Sequence, residues 1–306
     1  MQPVARYREF DPCPPLRGYV RCFFTFTVPA ETDEPSRPIR RELLYGAPWS
    51  YTTPLFADSQ VSLSFSFGAG YRVDGLWDPA EAKRCGHVIG AMSAAHPAAH
   101  GERIVEVGAY SRPVQAKCFF DVPAHELTDR ILPLSDLWGA AGVSLETSIA
   151  EARSDEQRVN QLERALLERV SLSSSRRSAV DLPALAAFVQ QRRGAINVAK
   201  LADSAGVSRQ HLGRIFQEDV GIPPKLFCRL ARFRAALACA GRDVKDDAAG
   251  FAAEFGYVDQ SHMIAEFREF SGLTPKPLML HQRVHPFMDL TADTAGASQR
   301  RSPLNL

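Results

Sequence analysis

The chain has 306 residues, a formal net charge of +1, 45% hydrophobic residues and 23% charged residues. These proportions are those of an ordinary globular protein, long enough for two domains and able to bury its cores without disulfide help. The near-neutral charge speaks neither for nor against nucleic acid, so a DNA-binding reading has to rest on local features.

The six cysteines, Cys13, Cys22, Cys85, Cys118, Cys228 and Cys239, form no CxxC pair, and most sit in apolar stretches. They read as buried, reduced thiols of a reducing compartment. Residues 1–11 lack the apolar core of a signal peptide. No stretch approaches the roughly 18 apolar residues of a membrane span. A cytoplasmic location and no membrane partner are the expectation.

The first half reads as β-rich. Val20, Cys22, Phe24, Phe26 and Val28 alternate with Arg21, Phe23, Thr25 and Thr27. Val61, Leu63, Phe65 and Phe67 alternate with Ser62, Ser64 and Ser66, the period of a half-buried strand. Residues 104–107 are a further short strand candidate. Turn-rich pieces at 29–38, 68–75 and 94–101 separate them. Short strands with Gly/Pro punctuation predict a barrel or a sandwich. Phe24, Phe26, Phe65, Phe67, Tyr71 and Trp77 are either its core packing or the lining of a ligand pocket.

From Pro123 the period becomes helical. Val159, Leu162, Leu166 and Val170 mark one helix face, a candidate for intramolecular packing or for a homodimer seam. Residues 171–178, SLSSSRRS, read as an interdomain linker. Residues 181–282 read as helical throughout, and the small, polar tail from 283 to 306 as disordered.

The strongest signal is an internal repeat. Ala202 and Gly206 recur as Ala252 and Gly256, 50 residues on, whereas Leu212, Phe216, Gly221 and Pro224 recur as Met263, Phe267, Gly272 and Pro275, 51 on. The second copy thus carries one extra residue after its glycine. The pattern predicts helix, tight turn, helix, with alanine allowing close helix approach and glycine a positive φ. Ser208 and a residue near Asp259 are the expected N-caps of the second helices. In copy one Leu212, Ile215 and Phe216 point inward, leaving Gln210, Arg214 and Gln217 outward with Arg209 near the start. Such side chains suit base edges and phosphates, and also an ordinary solvated face. In copy two Met263 and Phe267 point inward, and Ser261, Ala265 and Arg268 take the outer positions. Leu226, Leu230, Phe233 and Leu237 mark a connecting helix ending at Gly241, roughly 20–25 Å long. It is suited to holding two reading helices about one DNA turn apart.

Residues 198–224, VAKLADSAGVSRQHLGRIFQEDVGIPP, and 251–275, FAAEFGYVDQSHMIAEFREFSGLTP, resemble the two helix-turn-helix units of AraC-family transcription regulators. The first half resembles an uncharacterised, cupin-like module attached to such regulators, through PPLRGYV (14–20), AHELTDR (124–130) and PLSDLWG (133–139). The resemblance implies a bacterial-type regulator with a sensor or assembly domain at 1–170, a linker at 171–180, a DNA-binding domain at 181–282 and a flexible tail at 283–306. The implied DNA-binding residues are Ser208, Arg209, Gln210, His211, Arg214, Gln217, Gln260, Ser261, His262 and Arg268. The implied partners are promoter DNA, a small-molecule effector, a second copy of the chain and RNA polymerase. Ala265 stands where the family often has Arg, and Gln210 where a basic residue is common.

Enzymatic motifs are missing: there is no GxSxG elbow, HExxH, Walker loop or dinucleotide fingerprint. Gly68-Ala69-Gly70 reads as a turn. His96, His100 and Glu102 (HPAAHGE) lack cupin metal spacing and read as a surface loop. Cys118, beside two phenylalanines, reads as core. No catalytic, cofactor or metal residues are expected. The alternative reading is an enzyme or small-molecule-binding protein built on the β-rich half, with the helical part as a docking module.

Overall fold

The computed structural model describes residues 6–28, 55–68, 71–78, 85–100, 104–172, 180–243, 248–275 and 278. The turn-rich 29–38, most of the Ser-rich linker and the tail from 283 lie outside the described residues.

In the first half β1 (Arg6–Phe10), β2 (Val20–Val28), β3 (Ser62–Gly68), β4 (Tyr71–Val73), β5 (Gly86–Ile89), β6 (Ala98–His100), β7 (Ile104–Ser111) and β8 (Ile131–Pro133) follow one another. The main sheet runs β1-β2-β7-β3-β5-β8, antiparallel at each pairing, and β4 pairs with β6 in a small second sheet. β7 is the central strand and twice the length expected from its sequence. The turn-rich pieces at 68–75 and 94–101 each contain a short strand, and β8 interrupts the region expected to be helical. All three are too short for period-two alternation to register.

Phe23, Leu63, Phe65, Val88, Val107 and Ala109 share one face of the sheet and form a core with the helices laid across it. Those helices are α1 (Lys117–Phe120), α2 (Leu134–Trp138), α3 (Ala140–Glu151) and α4 (Asp155–Leu172). Val159, Leu162 and Leu166 of α4 are buried in this core, so intramolecular packing occupies the face weighed as a dimer seam. Asp155 at the start of α4 accepts from Thr25 Oγ1 (3.2 Å), and Glu163 from the Cys13 amide (2.7 Å), fixing the helix to the sheet.

The serine face of β3, expected in water, is covered as well: Ser62 and Ser64 are buried. Val73, Trp77, Met92, Ala98 and Ile131 cluster at the β5–β8 end of that side, and the Trp77 ring lies 5.0 Å from that of His87. The sheet is therefore the middle layer of a sandwich-like unit.

The C-terminal unit consists of α5 (Leu182–Gln191), α6 (Val198–Ser204), α7 (Arg209–Asp219), α8 (Pro224–Asp243), α9 (Ala248–Glu254) and α10 (Gln260–Ser271). Its core gathers Leu185, Leu201, Leu212, Phe216, Leu230, Phe233, Phe251, Met263, Phe267 and Phe270. Ala57 and Ala91 of the first half join it. Polar contacts reinforce this docking. Asp58 meets Arg234 of α8 at 2.7 Å, both largely buried, and the Ala57 and Ala95 amides donate to the Phe270 and Glu269 carbonyls at the end of α10. At the end of α7, Lys117 pairs with Asp219 (3.0 Å) and Thr128 Oγ1 donates to the Gly221 carbonyl (2.9 Å). The first half thus holds the C-terminal ends of α7 and α10 together.

Candidate nucleic-acid interface

Each repeat is built by local chemistry. Gly206 and Gly256 close α6 and α9 with φ of +66° and +71°. The amides of Val207 and Tyr257 then return to the carbonyls of Ala202 and Ala252 (3.1 and 2.9 Å). Ser208 caps α7 by accepting from the His211 amide (3.2 Å), and Asp259 caps α10 by accepting from the His262 amide (2.7 Å). The equivalence of Val207 with Tyr257 identifies Val258 as the extra residue; it projects from the turn, 86% exposed.

On α7, Arg209, Gln210, Arg214 and Gln217 are all exposed, and Leu212, Ile215 and Phe216 are buried, as the periodicity predicts. Ser208 is exposed at the cap. His211 is half-buried, and its Nδ1 accepts from Arg214 Nη2 at 3.1 Å. It therefore orients Arg214. On α10, Gln260, Ser261, Ala265 and Arg268 are exposed. His262 is half-buried and takes part in the turn's own contacts. Its Nδ1 accepts from the Val258 amide (3.4 Å), its Nε2 lies 3.5 Å from Glu266 Oε2, and Tyr257 packs edge-on against its ring. Both nitrogens are engaged in bracing the turn.

Sequence reasoning missed Glu266. Only 1% of its side chain is exposed, and it sits 2.6 Å from Arg232 and 3.4 Å from Arg229, both on α8. Burial raises the nearby Tyr257 hydroxyl, and the Glu266 charge raises it further. The connecting helix thus locks the second reading helix by ion pairs. The signal was available: in the repeat register Glu266 falls on Ile215, an inward position.

The aromatic set weighed as core packing or as a pocket lining does not share one face of the sheet. Strand alternation puts Phe24 and Phe26 on one face of the sheet and Phe65 and Phe67 on the other. Phe65 belongs to the helix-side core, and Arg158 of α4 lies over the Phe67 ring. Tyr71 enters β4 opposite His100, and its side chain lies outside the described residues. The groups that do share the face of Phe24 and Phe26 are Ser64, His87, Glu106 and Tyr110, by register. Burial pushes Glu106 up to about 7, opposed by the Ser64 hydrogen bond. Burial also drives His87 down to about 4, although its Nδ1–H donates to the Cys85 carbonyl (3.2 Å). Tyr110 is raised by burial and stacks on Phe24 with centroids 4.8 Å apart.

Residues 201–279 match the family model of a helix-turn-helix domain, and residues 8–133 match a domain of unknown function (DUF6597). An uncharacterized HTH-type transcriptional regulator of Haemophilus influenzae is 30% identical over 92 residues, which are 30% of this chain and 30% of that protein's length. Among solved structures, ToxT from Vibrio cholerae O395 aligns at a TM-score of 0.39 with 8% identity, over 76% of this chain and 93% of that one. ToxT with a bound unsaturated fatty acid, from Vibrio cholerae strain SCE256, gives 0.41 at 8% identity over 76% and 91%. The AraC-like transcriptional activator CuxR gives 0.21 at 13% over 78% and 88%. The elements themselves define the architecture: a β-sheet N-terminal part and a C-terminal part with two helix-turn-helix units. Within that architecture, residues 201–279 carry a helix-turn-helix domain.

Proposed function

We propose that the protein is a sequence-specific, DNA-binding transcription regulator. The observation that carries this reading is the exposed, N-capped helix α7, with Arg209, Gln210, Arg214 and Gln217 in water and nothing apolar among them. It is joined to the second reading helix through the 20-residue α8. Arg and Gln offer bidentate and charge-assisted contacts to guanine, adenine and phosphate. Gln260, Ser261 and Arg268 supply the second, weaker contact surface.

In this reading residues 1–170 are the sensor or assembly domain, 171–180 the linker, 181–282 the DNA-binding domain and 283–306 the tail. The first domain alters DNA affinity through a small-molecule effector or by pairing two copies of the chain, and RNA polymerase is the partner at the promoter. An effector acts only by binding two states unequally. The docking at Asp58–Arg234, Lys117–Asp219 and Thr128–Gly221 is what such states would differ in. The protein acts in the cytoplasm and is not an enzyme. Among the described residues no helix is long and apolar enough to cross a membrane.

The test is selection of duplexes from a random pool by the full chain, followed by titration of the winner against scrambled DNA. One enriched sequence, bound more tightly than the scramble and with strong salt dependence, is the expected result. A pool that never converges overturns sequence-specific regulation and favours the alternative, an enzyme or binding protein built on the β-rich half.

A further inference from the structure

A groove of about 430 Å³ runs along the outer face of α7 and is shared by the two units. Gln210, Gly213, Arg214, Gln217 and Glu218 form one wall, Pro223 and Pro224 the end, and His125 of the first half the opposite side. His125 belongs to the 3-10 turn Ala124–Glu126 and is exposed. We propose that this groove receives one strand of the DNA duplex, so that the first half-site is gripped by the N-terminal unit as well as by the reading helix. This rests on the reading of α7 as a DNA-binding helix and adds two residues to it, His125 and Gly213.

Gly213 is the first argument. A glycine in a helix interior costs roughly 0.5–1 kcal/mol relative to alanine. A Cβ at Gly213 would meet no atom within 4 Å, and the residue keeps ordinary helical backbone. Neither packing nor conformation requires glycine here. The open space over it faces the groove, which suits close approach of a sugar-phosphate backbone. Copy two has Ile264 at the same position, half-buried.

The fixed position of His125 is the second argument. The turn that carries it is held to α7 by the Thr128 and Lys117 bonds and by a tight fit. A Cβ on Gly221 would come within 2.7 Å of the Ala124 carbonyl. DNA lying on the exposed face of α7 therefore meets His125. The ring is already oriented: Gln217 offers a carbonyl, which only accepts, so Nδ1–H is the donor at 3.2 Å. Nε2 remains for a second bond. A phosphate oxygen also only accepts, so that second bond is one in which Nε2–H donates. The charged neighbours are Arg214 and Glu218 in the groove wall, Glu126 next in the chain and the Lys117–Asp219 pair at the helix end.

The experiment uses the full chain and its selected duplex, titrated across a salt series. His125→Ala should bind about three- to tenfold more weakly, with the log–log salt slope reduced by about one, and His125→Lys should restore both. Gly213→Ala should melt at a higher temperature yet bind more weakly, a combination that a structural role for the glycine does not give. If both alanine variants bind like the wild type, the groove proposal is overturned while the regulator reading stands. If they bind more tightly, it is overturned in favour of an N-terminal unit that obstructs DNA. A wild-type chain that binds no duplex overturns both.

Discussion

The two helix-turn-helix copies share a pattern and differ in what holds them. In copy one the inward position 215 is isoleucine, the inner face of the helix packs by apolar contact, and its C-terminal end is gripped by polar contacts from the first half of the chain. In copy two the equivalent position is Glu266, tied to Arg229 and Arg232, and the neighbouring His262 is drawn into the same network. Copy one keeps its polar groups outside, where DNA can reach them. Copy two uses several of its polar groups to hold itself together. Repetition in sequence therefore does not mean repetition of packing: the first copy turns its polar groups outward and the second ties several of them to the connecting helix.

The largest test of this contrast is Glu266→Ala. Removing the carboxylate leaves Arg232 without its ion-pair partner, while Arg229 keeps Glu269, and loss of one partner of a buried pair costs about 3–5 kcal/mol. Chemical denaturation should register a loss of that order, because Arg232 is only 15% exposed. The same residue change at the apolar site, Ile215→Ala, should fall nearer the lower end of the usual range, about 2 kcal/mol. Equal losses at the two sites would erase the distinction.

The closing glycines give the next comparison. Gly221 and Gly272 both have positive φ, +91° and +72°, so alanine at either adds backbone strain of about 1 kcal/mol. Only at Gly221 would the new Cβ also strike the first half, 2.5 Å from Thr128 Oγ1; at Gly272 the space is open. Gly221→Ala should therefore lower the melting temperature more than Gly272→Ala and speed proteolysis between the two units. If the two variants behave alike, the docking at the end of α7 is wrong.

Arg214→Ala should weaken specific binding by about 1–3 kcal/mol, the range for one good base contact. If Arg214 touches only phosphate, the loss should be uniform across DNA sequences. The selected operator should have one strongly specified half-site and one permissive half-site. A base-by-base affinity scan that finds both half-sites equally sensitive would refute this asymmetry. The caps should break the pattern in the other direction, since both copies use them alike. Ser208→Ala and Asp259→Ala should each cost about 1 kcal/mol of stability. Smallest of all is Ala265→Ser, an exposed site without a partner, where DNA affinity should hardly change.

The repeat was readable because its determinants are local. The cap residues, the left-handed glycines and the buried alanines each act within a few residues of their own position, and the sequence places them at fixed offsets. The outward face of α7 followed from helical period. The bracing contacts of His262 were not legible, because its equivalence to His211 says nothing about Glu266 beneath it. The division of the aromatic set was hidden for a related reason. Phe24 and Phe26 alternate as clearly as Phe65 and Phe67, but period two says only that neighbours face opposite sides, not which strands share a side. Register across β2, β7 and β3 settled that, and split the set between the two faces of the sheet.

By itself, then, the sequence determined two helix-turn-helix units, their caps and turns, the one-residue offset between them, the presence of a helix that joins them and a β-rich first half. These follow from backbone dihedral preferences and hydrogen bonds that close within about four residues. The tertiary structure decided that the serine face of β3 is buried, that Glu266 pairs with the connecting helix, and that a turn in the first half lies beside the reading face. The bond from His125 to Gln217 spans 92 residues of chain. No periodicity in either segment encodes such a contact, because it arises only when two separately folded surfaces fit together, and that fit depends on shape, burial and charge summed over both units.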